Sequence, residues 1–165
     1  MSDLLAAVIT CSNRSAAGDR PDDSGRLLAD AVEDWGFGLL AREIVPDEVE
    51  AIRQAVVRAV TGGARLVLTT GGTGVSPTDV TPEAVSPLLD RPIPGIAERL
   101  RAANADRVPT AVLSRGVAGL IGDTLVVTLP GSPGGVRDGI AVLAPLVSHV
   151  LDQVAGGDHR AGGGV

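Results

Sequence analysis

Leu66-Val67-Leu68-Thr69-Thr70-Gly71-Gly72-Thr73-Gly74-Val75-Ser76-Pro77-Thr78-Asp79-Val80-Thr81-Pro82-Glu83 passes from an apolar run through glycine into residues that start a helix. The stretch reads as strand, binding loop, helix. Leu66 to Leu68, followed by threonines, suits a buried strand. Gly71, Gly72 and Gly74 let backbone amides approach a ligand, or take positive φ, without a Cβ clash, which is how a loop cradles phosphate. Thr81 is expected to cap the following helix, with Pro82 in its first position and Glu83 in its first turn. Asp79 is explained by neither element. A tight turn with an exposed capping Asp would account for the same residues, so this stretch alone leaves turn and binding site open.

Around it lie 165 residues, enough for one core of ordinary size, and no shift in composition marks a second domain before the C-terminal tail. One domain is expected over residues 1–155. Residues 156–165, with His159 near their middle, read as a frayed tail whose removal leaves fold and activity intact. Hydrophobic residues make up 44% of the chain and aromatic residues 1%, so the core must be built from Val, Leu, Ile and Ala. Such residues suit layered α/β packing. No apolar run approaches the length of a membrane span, and Met1-Ser2-Asp3 lacks the basic start of a secretory signal, so a cytoplasmic setting is expected. The lone Cys11 agrees: it can form neither an intramolecular disulfide nor a zinc site with other cysteines, and reads as a small buried residue ending a strand.

The net charge is −6, from 14 basic and 20 acidic residues, which argues against a nucleic-acid surface or an anionic-membrane binder. Every basic residue is arginine. Without lysine, a Walker-type phosphate loop, a Schiff-base enzyme and a Ser-Lys hydrolase are all excluded. Phosphate, if bound, must be held by backbone amides, helix N-termini, arginines or a metal.

Leu4 to Ile9 form a continuous apolar run, as in a strand covered on both faces of a parallel sheet. It opens into Thr10-Cys11-Ser12-Asn13-Arg14, where ligands sit in open α/β sheets, although an ordinary solvated loop would look the same. Leu27, Leu28, Ala31, Val32 and Trp35 then recur at helical spacing, and Gly36 stops the helix. Phe37 to Val45 reads as a second strand. In Pro46-Asp47-Glu48-Val49-Glu50, Asp47 is expected to be an N-cap with Glu50 as its capping-box partner. Strand-helix alternation in one direction predicts a mostly parallel central sheet with right-handed crossovers and helices on both faces. Further on, Pro87 cuts the helix from Thr81 short, and Arg91-Pro92-Ile93-Pro94-Gly95 reads as a rigid connection rather than an element. A short helix around Ile96 to Ala103 follows. Ala111 to Asp123 reads as an extended segment and a turn, and Thr124 to Leu129 as a buried strand. Ser132 and Pro133 begin the last helix, expected to carry Val136, Ile140, Leu143, Val147, Val150 and Val154 on one stripe.

Thr69-Thr70-Gly71-Gly72-Thr73-Gly74, then Asp79-Val80-Thr81-Pro82-Glu83-Ala84, then Leu129-Pro130-Gly131-Ser132-Pro133 together resemble the MogA/MoaB family of molybdenum-cofactor biosynthesis proteins. Pro46-Asp47-Glu48, Pro94-Gly95 and Leu113-Ser114-Arg115 fall at family-like positions, so the resemblance runs from about Ala7 to Val154. It implies a three-layer α/β sandwich, often trimeric and in some members larger, acting on molybdopterin, a pterin dithiolene with a terminal phosphate. Active members join that phosphate to the AMP part of Mg-ATP, release pyrophosphate and so prime the pterin for molybdate insertion, which implies a hand-over to the inserting enzyme. The resemblance implies that Gly71, Gly72, Thr73 and Gly74 hold substrate phosphate. Asp47 and Asp79 match the catalytic aspartates and the ligands implied for Mg²⁺, while Ser12, Thr81, Ser114, Gly131 and Ser132 match substrate contacts. Thr78 stands where many relatives have a basic residue, which passes any phosphate contact there to a group such as Arg14, Arg115 or Arg137. Asn13 stands where many carry Asp. Two other readings fit the same residues: a MoaB-like pterin-binding or assembly protein without transfer activity, and a nucleotide-cleaving enzyme of the kind that carries a related domain in competence-damage proteins.

Overall fold

Leu5–Cys11 forms the first strand, β1, and its last six residues are buried, as a strand covered on both faces requires. In the computed structural model, which describes residues 4–157, β1 lies parallel between β2 (Gly38–Val45) and β3 (Leu66–Thr70). Beyond β3 the sheet continues with β6 (Thr124–Leu129), again parallel. It closes with β5 (Ala118–Ile121) and β4 (Arg91–Pro92), both antiparallel to their neighbours. The order is β2-β1-β3-β6-β5-β4.

The alternation of side chains along each strand divides the core into two layers. On one face Ala6, Val8, Leu66, Leu68, Leu125 and Val127 pack against helices α2 (Asp23–Asp34), α5 (Pro94–Ala102), α6 (Pro133–Leu143) and α7 (Val147–Val154). On the other, Ala7, Ile9, Val67 and Val126 meet α3 (Val49–Thr61) and α4 (Thr81–Val85). The result is the expected three-layer α/β sandwich with a mostly parallel sheet. One single-turn helix, α1 (Asn13–Ala16), was not anticipated; Ser12 caps it by accepting the Ser15 amide at 3.2 Å.

Three local expectations are corrected. Arg91-Pro92 is not a mere connection but the edge strand β4. The flanking amides of Asp90 and Ile93 donate to Leu120 O and Ala118 O, both at 2.8 Å, so the proline's missing N–H costs the ladder nothing. Pro109–Leu113 is a 3₁₀ turn rather than an extended run. The last helix is two helices, because Pro145 removes a donor and its ring clashes with the preceding turn. Beyond α7 the chain turns at Gly156, and the Gly157 amide donates back to Asp152 O at 2.9 Å. The remainder of the expected tail, His159 included, lies outside the described residues.

Candidate functional site

Thr10 stands opposite Thr70, and Thr70 opposite Leu129, so β1, β3 and β6 release their loops at one level. In open α/β sheets this carboxyl rim is where ligands bind. The glycine loop leaving β3 is held on several sides. Gly71 N donates to Leu129 O at 3.0 Å, and Thr70 Oγ1 donates to Pro130 O at 2.7 Å. Gly71 and Gly72 have φ of +95° and +68°. A Cβ on Gly71 would collide with the Cys11 carbonyl, and one on Gly72 with the Thr81 hydroxyl, so both positions demand glycine.

Thr81 does not cap its helix. It is the first residue of α4, Val80 holds the cap position, and the Thr81 hydroxyl donates to Gly71 O at 2.9 Å. Wholly buried, it supports the glycine loop from beneath and lines neither cavity described below.

Asp47 is no helix cap either, because α3 starts at Val49 with Glu48 as its extended N-cap residue. Its carboxylate turns instead toward the loop after β1. Asp47 Oδ2 accepts the Asn13 amide at 3.0 Å, while the Asp47 amide donates to Asn13 Oδ1 at 2.8 Å. This reciprocal pair leaves Asp47 Oδ1 buried with no hydrogen-bond partner, facing Gly72. Asp79 closes its own loop: Oδ2 accepts the Ser76 amide at 3.0 Å. Gly74 lies against the same oxygen, 2.7 Å from where a Cβ would stand.

Two cavities open on the rim. One, of about 520 Å³, has an apolar wall of Ala97, Leu100, Val108, Ala111 and Leu113, with Thr73, Gly74 and Ser114 on its floor side. The other, of about 380 Å³, is polar and acidic, with Ser12, Arg20, Asp22, Asp47, Thr70 and Gly71 in its lining. They meet at Gly72, Asp79, Gly131 and Ser132, which line both. The two aspartates singled out in the sequence therefore share the polar cavity, and Asp79 stands on the ridge between the clefts.

The arginines fall differently from expectation. Arg115 is fully engaged as a strap: Nε donates to Gly74 O and Nη2 to Asp79 O, each at 2.8 Å, and the guanidinium also binds Glu83. That contact holds the Glu83 carboxyl below its usual range. Arg14, Arg115 and Arg137 line neither cavity. Sequence reasoning missed Arg20, and it also missed Asp22, which caps α2 while accepting Thr10 Oγ1 at 2.9 Å and Arg42 Nη2 at 3.0 Å. A polar side chain just before an apolar helical stripe was the available signal for Asp22. Nothing local marks Arg42 as its partner.

Among the described residues no three His, Cys, Asp or Glu side chains gather into a protein cage for a metal. Asp47 Oδ1, a buried carboxylate oxygen with no donor, is nevertheless what a hard cation takes. Mg²⁺ is commonly held by one or two carboxylates together with substrate phosphates, and Asp47 with Asp79 fits that pattern.

A six-stranded, mostly parallel α/β sheet carrying two glycine junctions and two adjoining clefts on its carboxyl rim defines an open α/β domain whose candidate site lies where such sheets take their ligands. Residues 7–149 match the family described as a probable molybdopterin binding domain. The chain is 38% identical over 159 residues to the molybdenum cofactor biosynthesis bifunctional protein of Synechococcus elongatus, covering 96% of this chain and 50% of that protein. It thus spans about half the length of that relative. To the molybdopterin adenylyltransferase of Pyrococcus furiosus it is 36% identical over 149 residues, 87% of each chain. The molybdopterin biosynthesis Mog protein from Mycobacterium ulcerans superposes with a TM-score of 0.87 at 47% identity, covering 92% of this chain and 99% of that one. The chain belongs to the MogA/MoaB family of molybdenum cofactor biosynthesis proteins.

Proposed function

We propose that this chain adenylylates molybdopterin. The terminal phosphate of the pterin attacks the α-phosphorus of Mg-ATP in line; the new P–O–P bond forms as the α–β bond breaks, pyrophosphate leaves, and the pterin is primed for molybdate insertion. The observation that carries this reading is the junction of an apolar-walled and an acidic cavity at Gly72, Asp79, Gly131 and Ser132. Two substrates in adjoining clefts meet at that ridge, where holding both phosphates in register removes the entropic cost of a bimolecular encounter.

Asp47 lines only the polar cavity, which supports assigning the triphosphate to that cleft. The Mg²⁺ that arrives with ATP supplies positive charge to the reacting phosphates, and Asp47 and Asp79 would hold it. Backbone amides of Gly71 to Gly74 are suited to phosphate oxygens. Ser12 Oγ and Ser132 Oγ each already accept a backbone amide as helix caps, so their hydroxyl protons remain available to donate to the substrate. Ser114 belongs to the apolar cleft, with Gly131 and Ser132 bridging both.

Incubation of the protein with molybdopterin and Mg-ATP is expected to yield pyrophosphate and adenylylated pterin. Pterin binding with no product would instead support the non-catalytic pterin-binding or assembly reading, and ATP cleavage without pterin adduct the nucleotide-cleaving one. We further propose a homo-oligomer, a trimer or a hexamer built from it, and hand-over of the product to the molybdate-inserting enzyme. Leu39, Leu40 and Ile44, exposed on the edge strand β2, support association. Light scattering at micromolar concentration should give a multiple of the 16.6 kDa chain mass; a monomeric mass would contradict it.

A further inference from the structure

A triphosphate entering the polar cavity meets carboxylates from Asp22, Asp23, Asp47 and Asp79. Mg²⁺ offsets only part of that repulsion, so a fixed cation is needed as well, and the chain has no lysine to provide it. Seven of the arginines pair with carboxylates, and Arg101 binds the carbonyls of Ser114 and Gly116. Two of those pairs, Arg42 with Asp22 and Arg26 with Asp23, answer half of the cavity's acidic side chains; Asp47 has no ion-pair partner, and Asp79 feels only the charge of Arg115, whose guanidinium is already engaged by Glu83 and backbone carbonyls. Among the described residues the side chains of Arg14, Arg20, Arg91, Arg99 and Arg137 have no ion-pair or hydrogen-bond partner, and of these only Arg20 lines either cavity.

We propose that Arg20 is the residue that grips the β- and γ-phosphates of the nucleotide and, after transfer, the departing pyrophosphate. Arg20 is exposed and lines the polar cavity, so its guanidinium is open to an incoming anion. A planar fork of N–H donors matches two phosphate oxygens at once, which a point charge cannot. Its place in the loop after Gly18 also explains how a chain with Thr78 near the central aspartate answers polyphosphate charge: the cation comes from the segment between β1 and α2 rather than from the loop after β3.

This inference rests on the adenylyl-transfer reading, and binding measurements separate the two. Full-length wild type, Arg20→Gln and Arg20→Lys are titrated with Mg-ATP and with AMP by calorimetry at two salt concentrations, and each is melted. Arg20→Gln should bind Mg-ATP roughly tenfold more weakly, the scale of one charged hydrogen-bonded contact. It should bind AMP as wild type does, lose part of the salt dependence and melt at an unchanged temperature, with Arg20→Lys intermediate. Arg14→Gln and Arg137→Gln should match wild type throughout. If wild type binds Mg-ATP and Arg20→Gln binds it equally well, or if ATP and AMP weaken alike, the assignment of Arg20 is overturned while the function stands. If wild type binds no Mg-ATP, both fall together.

Discussion

Cys11 ends β1 directly beneath the glycine loop, close enough to the site to invite a catalytic reading. Burial pushes its thiol up to about 12, with the Thr81 hydrogen bond pulling the other way and the Asp47 charge adding to the rise. At neutral pH it is therefore a protonated, enclosed thiol rather than a nucleophile. Iodoacetamide at pH 8 should leave the folded protein unlabelled and alkylate it only in denaturant; rapid labelling of the folded form would contradict this. Gly71 makes the opposite kind of residue-scale claim, that a missing atom matters. Gly71→Ala adds a methyl against the Cys11 carbonyl in a left-handed backbone and should cost about 1–3 kcal/mol or displace the loop. Unchanged melting with unchanged nucleotide binding would show the loop to be softer than its geometry. Asn13 illustrates what one residue's sequence position conceals. Its clamp on Asp47 spans 34 residues and converts what looks locally like a helix cap into a carboxylate with one free buried oxygen.

At the scale of elements, the strap from Arg115 to the loop after β3 is the feature that sequence reading inverted. Arg115 N donates to Thr73 O at 2.7 Å, so backbone and side chain together pin both ends of the 73–79 loop. Because Arg115 holds the Glu83 carboxyl below its ordinary range, the pair adds stability above that range and loses it as the pH falls through the lowered value. The contact is half exposed, so the effect is a modest one. The melting temperature of wild type should exceed that of Glu83→Gln at pH 7 and converge with it under acid conditions; a constant difference across pH would contradict the assignment. Strands β1, β2, β3 and β6 were legible from their sequence, β6 at the residues expected from Thr124 to Leu129, whereas β5 lies in a stretch read as an extended segment and a turn. The two helix starts each shifted by one residue, because Asp47 and Thr81 engage tertiary partners instead of the amides they were expected to cap. The break between α6 and α7 needed only Pro145 to be weighed above an unbroken stripe of valines and leucines. The edge strand β4 was not legible, since its pairing is made by amides outside the two residues it comprises.

For the whole molecule, the sheet order turns three separated sequence motifs into neighbours. Strands β1, β3 and β6 lie side by side although β6 begins at Thr124, far along the chain from the end of β1 at Cys11, as the order β2-β1-β3-β6-β5-β4 records. Parallel-sheet logic puts both glycine junctions on one rim, but their division into two clefts was not legible, because the wall of the larger cleft is built by α5 together with segment 104–116, which was not read as packing over the rim. The central claim is that Asp47 and Asp79 serve transfer across the ridge between those clefts rather than the fold. Its most direct measurement follows α-³²P from labelled Mg-ATP into molybdopterin under single-turnover conditions, for wild type, Asp47→Asn and Asp79→Asn. Asn keeps size and hydrogen-bonding capacity, so a merely structural role predicts a loss below about 1 kcal/mol and near-normal transfer. The account predicts folded variants that still bind the pterin but pass the label roughly a hundredfold more slowly, the scale of losing one preorganised electrostatic group. Transfer at the wild-type rate in both variants would contradict it.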